Sequence, residues 1–166
     1  ELWRQAEHGG WHTRLDSTLH RYLIDLGAIE DDLMETSVPA PLQEGLLYDC
    51  AEVFKGSGGW SEAHAALGLV VHIGIDSEGH PVKDILFNEV WHELVALILR
   101  RVVLIWHFGL PCLTWDTLRR PRIRDKQTPF GFDPDDPFTR THNMVAVRTL
   151  FLLCLISSEG QYGSLE

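Results

Sequence analysis

Apolar and polar positions follow two rhythms along this chain. Val102-Val103-Leu104-Ile105-Trp106-His107-Phe108 is a nearly unbroken apolar run rich in β-branched residues, which predicts a buried strand. Gly109-Leu110-Pro111 then turns the chain out of it. Val70 to Ile75 predicts another strand, ending in Asp76, and Glu52-Val53-Phe54 a short one broken by a glycine turn at 56–59. Asp84-Ile85-Leu86 predicts a further short strand. Between these, Ser61 to Leu67 reads as a helix stopped by Gly68, and Asn88 as the cap of a helix reaching about Arg100. A loop rich in Pro and Asp fills 116–138, a strong helix covers about 139–157, and Gly160 to Glu166 begins a last strand. Strands alternating with helices at this spacing predict an α/β fold: a Rossmann-like, mainly parallel sheet with helices on both faces.

The first 48 residues have a different texture. Leu15, Leu19, Tyr22, Leu23 and Leu26 recur at three- and four-residue intervals, which predicts an amphipathic helix with Gly27 as its stop. Glu30-Asp31-Asp32 follows, and Pro39-Ala40-Pro41 reads as a linker. The expected organisation is a helical extension and linker over 1–48, able to meet the main domain or a protein partner, and a second domain over 49–166.

Composition narrows the classes. With 166 residues, 45% of them hydrophobic and 23% charged, the chain suits one domain with a sizeable core. Glu1 is not an initiator methionine, so a processed chain or a piece of a longer one is expected. No apolar run approaches the ~20 residues of a membrane span, and Glu1-Leu2-Trp3-Arg4-Gln5 has no apolar signal-peptide core. Three widely spaced cysteines, Cys50, Cys112 and Cys154, argue against a disulfide framework and for a reducing, intracellular compartment. No Cys-x-x-Cys pair exists, and no second histidine follows His92-Glu93 at helical spacing, which argues against a structural zinc site or a zincin-type motif.

A net charge of −10 speaks against a general nucleic-acid coat. One segment departs from it: Arg119, Arg120, Arg122, Arg124 and Lys126 crowd together just after Cys112. That cluster is either a solvated loop or a set of phosphate contacts.

The candidate chemistry sits at strand ends, where open α/β sheets bind ligands. Gly56, Gly58 and Gly59 allow positive φ and a close approach of ligand to backbone, at the start of a helix. Asp76, at the end of the next strand, is placed to accept hydrogen bonds from ribose hydroxyls, or is simply a turn aspartate before Ser77-Glu78-Gly79. Asp84 either contacts an adenine amino group or starts a strand. Cys112, after the buried run at 102–108, is a candidate nucleophile.

In this order the pieces resemble the DNA cytosine-5 methyltransferases, in their cofactor-binding half. Phe54-Lys55-Gly56-Ser57-Gly58-Gly59 is similar to the Phe-x-Gly-x-Gly-Gly motif that cradles S-adenosylmethionine, and Ala65-Ala66-Leu67-Gly68 to the end of its helix. Ile75-Asp76 resembles the acidic second motif and Lys83-Asp84-Ile85 the Asp-Ile motif at the adenine. Gly109-Leu110-Pro111-Cys112 falls on Gly-x-Pro-Cys, and Glu166 falls where the glutamate of Glu-Asn-Val begins. The resemblance covers roughly 50–166 and implies a sheet of the S-adenosylmethionine-dependent methyltransferase type. It further implies a cofactor held by Phe54, Gly56, Gly58, Gly59, Asp76, Asp84 and Ile85, and catalysis by Cys112 and Glu166. The partner would be nucleic acid, DNA rather than RNA, contacted by Arg119, Arg120, Arg122 and Arg124, in a nucleus if the source is eukaryotic.

The chain departs from that pattern in two places. Leu113-Thr114-Trp115 replaces the glutamine and Phe-Ser that follow the family's Pro-Cys, and Gly74-Ile75 replaces the usual glutamate and its neighbour before Asp76. Three readings therefore stand: a cytosine-5 methyltransferase or its cofactor-binding half; an inactive methyltransferase-like module serving as a structural or binding subunit; and a Rossmann-type enzyme on another substrate.

Overall fold

Three parallel strands, in the spatial order β1-β2-β3, form the sheet of this computed structural model, which describes residues 45–76, 84–116 and 118–166. The strands are β1 (Tyr48–Val53), β2 (Val103–Phe108) and β3 (Tyr162–Leu165). The helices are α1 (Gly59–Ala66), α2 (Asn88–Leu99) and α3 (Pro137–Ser158), and a 3-10 turn covers Cys112–Thr114. The helical extension expected over 1–48 lies outside the described residues, except for the start of the sheet domain. Just before the expected boundary, the amides of Leu47 and Tyr48 donate to Val102 O, both at 2.9 Å.

Parallel neighbours cannot be joined by a hairpin, so every pairing here spans a helical crossover. Beyond β1, the segment expected as a strand over 70–75 touches the sheet only through parallel bridges at Cys50–Val71 and Val53–Ile75. Gly74, at φ 84°, breaks its pleat between them. The chain thus steps to one side of β1 and later returns on the other side as β2. Such a reversal opens a crevice at the carboxyl ends of the two strands.

Adjacent residues on β2 face opposite ways. Trp106 points to one side, where its indole N–H donates to Gln161 Oε1 at 2.7 Å and the Gln161 amide donates to Ile98 O of α2 at 2.6 Å. On this side α2 and α3 pack together, with the rings of Trp91 and Phe151 5.3 Å apart. The fully buried Leu94, Ile98, Leu152 and Ile156 fill the space, each stabilising by ~1.5–3 kcal/mol through burial. His107 points the other way, under α1, where Trp60 stacks on it at 4.8 Å. Helices therefore cover both faces.

Two expected features differ in the structure. Asp84-Ile85-Leu86 is a turn, not a strand: Asp84 Oδ1 accepts from Leu86 N at 2.9 Å and Asp84 O from Phe87 N at 3.0 Å, which closes the chain on itself. Asn88 is the first residue of α2, not its cap; Phe87 stands at the cap position, and Asn88 Oδ1 accepts from Arg148 Nη2 at 2.9 Å.

α3 begins directly after its cap, Asp136, whose carboxylate accepts from the amide and hydroxyl of Thr139 at 2.9 and 3.0 Å. Among the described residues it is the one helix long and apolar enough to cross a membrane by length and composition, and half of that window is buried inside the protein. Arg148 on it reaches Ile85 O at 2.7 Å and lies over the Trp91 ring. These contacts make it a core helix of this domain.

Candidate functional site

Main-chain hydrogen bonds knit the carboxyl ends of the strands together. Phe54 N donates to Ile75 O at 2.8 Å, Gly109 N to Val53 O at 3.0 Å, and Glu166 N to Phe108 O at 3.0 Å. The glycine turn, the Asp76 segment, the Pro-Cys turn and Glu166 thus leave the sheet along one edge. A Cβ on Gly109 would meet Phe54 O at 3.0 Å, so the Pro-Cys turn and the glycine turn touch through bare backbone.

The glycine turn starts with Phe54, a non-glycine residue at φ 61°, and continues through Gly56 at 51° and Gly58 at 77°. The carboxylate of Asp76 accepts from the Gly56 amide. Lys55 folds back across the turn: its Nζ donates to Ile73 O at 3.3 Å, and its side-chain carbons lie 2.6 and 2.7 Å from where Cβ atoms on Gly58 and Gly74 would stand. The direction a Cβ would take from Gly56 meets nothing within 4 Å.

Gly58 offers no side chain to cap α1. Glu52, on β1 and 5% exposed, does this instead: its carboxylate accepts from Ser61 N at 3.0 Å and from Ser61 Oγ at 2.5 Å. A carboxylate at a helix N-terminus also gains from the helix dipole. Glu52, His107 and Ser164 occupy successive register positions across β1, β2 and β3, forming a polar row beneath α1. His107 Nδ1 shares a hydrogen bond with Ser164 Oγ at 2.9 Å, and its Nε2 lies 3.6 Å from Glu166 Oε2. Trp60 is held between two imidazoles, His64 at 3.8 Å and His107 at 4.8 Å.

Cys112 is exposed and opens the 3-10 turn, its carbonyl accepting from Trp115 N and Asp116 N at 2.8 and 2.9 Å. Cys50 is buried inside β1, and burial, followed by Asp49 and Glu52, pushes its thiol up, which leaves it an inert core residue. Ile85 is 2% exposed and points into the core, its carbonyl held by Arg148. Asp84 spends one carboxylate oxygen on its own turn.

The arginines of the basic segment divide. Arg120 and Arg122 are exposed, and Arg119 lies over the Phe138 ring at 5.1 Å. Arg124 is turned inward and 7% exposed: its Nη1 donates to Pro129 O at 2.7 Å and Asn143 Oδ1 at 2.8 Å, while its guanidinium lies 3.8 Å from the Trp115 ring centre. Its geometry is that of a strut between the loop and α3, not of a side chain facing a ligand.

Reading the sequence missed Glu52, His107 and Trp60. Glu52 was visible only as an acid in an otherwise apolar strand, a position that demands a partner. Among the described residues no three of His, Cys, Asp and Glu gather as metal ligands.

Fold and site together define an α/β domain with a parallel sheet whose carboxyl edge carries a glycine turn, an acid and a turn with an exposed thiol. The chain matches no family model, no curated protein and no solved structure.

Proposed function

We propose that this domain binds S-adenosylmethionine at the glycine turn and acts as a cytosine-5 methyltransferase-like module on nucleic acid, with Cys112 as nucleophile, on a sheet of the Rossmann-like methyltransferase type. One observation carries the reading: the bonds Phe54–Ile75, Gly109–Val53 and Glu166–Phe108 bring the glycine turn, the Asp76 segment, the Pro-Cys turn and Glu166 to one edge of the sheet. The residues fit the cofactor. The side of Gly56 that a Cβ would fill is open, the Asp76 carboxylate lies beside it, and the Lys55 tail that crosses Gly58 ends in a rotatable chain. Asp76 would receive the ribose hydroxyls, and the backbone of Gly56 to Gly59 would pack against the rest of the cofactor. When bound, the cofactor supplies an electrophilic methyl group.

The chain's own residues would do the rest. The Cys112 thiolate adds to C6 of the base, forming an S–C6 bond and giving C5 the electron density it lacks in free cytosine. Glu166 would hold a proton at N3 as charge develops there. Release of Cys112 would follow by elimination: the C5 proton passes to water, the C5–C6 double bond re-forms and the S–C6 bond breaks. Such a base must be single-stranded or flipped out of a duplex.

Calorimetry with S-adenosylmethionine tests the turn, and trapping with an oligonucleotide containing 5-fluorocytosine tests the thiol. Binding, with a covalent adduct lost in Cys112→Ser, is the expected result. No heat at millimolar cofactor, or an adduct that persists without Cys112, overturns it.

A second reading is favoured by Lys55 and Asp76, which already engage the turn from within the chain. In a non-catalytic module these contacts replace the ligand. Lys55→Ala separates the two: it gains cofactor affinity if Lys55 merely covers the cradle, and gains none if the turn has become purely structural.

A further inference from the structure

We propose that Trp115 is a stacking platform for a nucleobase, three residues beyond Cys112. The proposal rests on the nucleic-acid reading of the site and adds how the base is held. Trp115 ends the 3-10 turn that Cys112 begins, tied back by its amide to Cys112 O at 2.8 Å. The Arg124 guanidinium backs its ring at a centre distance of 3.8 Å. Arg124 is itself fixed by Pro129 O and Asn143 Oδ1 through Nη1, so the ring has a rigid support.

Three further facts point outward from that support. Trp115 remains 36% exposed although one face is covered, an unusual position for the largest apolar side chain. Arg124 Nε and Nη2 are buried without a hydrogen-bond partner, and among the described residues no acid pairs with it. An unneutralised cation beneath one face of an indole draws π density toward itself, which suits the other face to an electron-rich ring. Finally, the exposed Arg120, Arg122 and Lys126 follow on the same segment of a chain whose net charge is −10. Cations flanking an aromatic face are the combination that holds single-stranded nucleic acid, the charges taking the phosphates and the ring taking a base.

The test is fluorescence anisotropy with a labelled single-stranded DNA oligonucleotide, at several salt concentrations, against the whole chain. Stacking of one base corresponds to a five- to about hundredfold loss of affinity in Trp115→Ala, with most of it retained in Trp115→Phe. The salt slope stays that of the unmodified protein in both, because no charge is lost, whereas Arg122→Gln lowers it by about 0.7. Circular dichroism confirms that the variants fold. Equal affinity of Trp115→Ala and the unmodified protein, or equal loss in Trp115→Phe and Trp115→Ala, overturns the platform while leaving nucleic-acid binding intact. No binding by the unmodified protein overturns the nucleic-acid reading and the platform with it.

Discussion

Glu52 accepts both the amide and the hydroxyl hydrogen of Ser61, joining the second-last residue of β1 to the first turn of α1. This bond sets the height of the glycine turn between them. Both residues are buried, so Glu52→Ala strands two donors away from water and should cost about 2–3 kcal/mol. Ser61→Ala removes one hydrogen bond and should cost about 1 kcal/mol. Urea unfolding measures both; equal stabilities for the two variants would show that the Ser61 donors find other partners.

Gly58 combines a left-handed backbone with a Lys55 side chain pressed against its missing Cβ. Gly58→Ala should therefore destabilise by at least the ~1–2 kcal/mol of the backbone strain. Adding Lys55→Ala removes the collision but not the strain, so the double variant should recover only part of the loss. Full recovery in a thermal melt would mean that φ at this position is relaxed in solution.

Gln161 bridges Trp106 of β2 and Ile98 O of α2 from inside the protein. Gln161→Leu keeps the volume but strands the Trp106 indole N–H, while Ile98 O keeps its second donor, Arg101 N at 3.0 Å, so the cost should be about 1–3 kcal/mol. The urea midpoint should fall with the slope unchanged, since the same surface is exposed on unfolding. A changed slope would instead mean that the sheet and α2 separate before the whole unfolds.

His142 has its imidazole pushed below the usual 6.5 by burial, then by Arg124 and Arg119. The charged form is disfavoured in the folded state, so the unfolded chain takes up the proton first. The resulting stability is complete above pH 6.5 and is lost as pH falls through the lower folded value. Compared with His142→Gln, the unmodified protein should lose more stability between about pH 7 and about pH 5. Parallel pH profiles for the two would remove His142 from this role.

Much of the sheet was legible in the sequence because its driving pattern is local. The apolar run at 102–108 became β2, and the segment from Asn88 became α2, each within about one residue of its expected limits. β1 was read too short, as Glu52 to Phe54, because Asp49 and Glu52 interrupt its apolar pattern. Those acids have distant partners: Asp49 accepts from Val70 N at 2.7 Å, and Glu52 from Ser61. No local signal announces such pairs. The same is true of Arg124, which in sequence is one more cation in a loop and in space is fixed by Asn143, nineteen residues away. Asp84-Ile85-Leu86 failed for the opposite reason: its composition suits a strand, but the aspartate closes a turn on its own backbone. Of the candidate site, the sequence order marked turns that the structure places along the carboxyl edge, and only the register of β1, β2 and β3 revealed the row of Glu52, His107 and Ser164.

The anchors that align the crevice are peptide groups, Phe54 with Ile75, Gly109 with Val53 and Glu166 with Phe108. Nearly every amino acid carries the same amide and carbonyl, so these positions hold their alignment while their side chains drift. Gly109 is the exception, because any side chain there would press on Phe54 O. Placement and side-chain chemistry are therefore separable in this domain: Cys112 could be exchanged for another residue without rebuilding the scaffold that presents its turn.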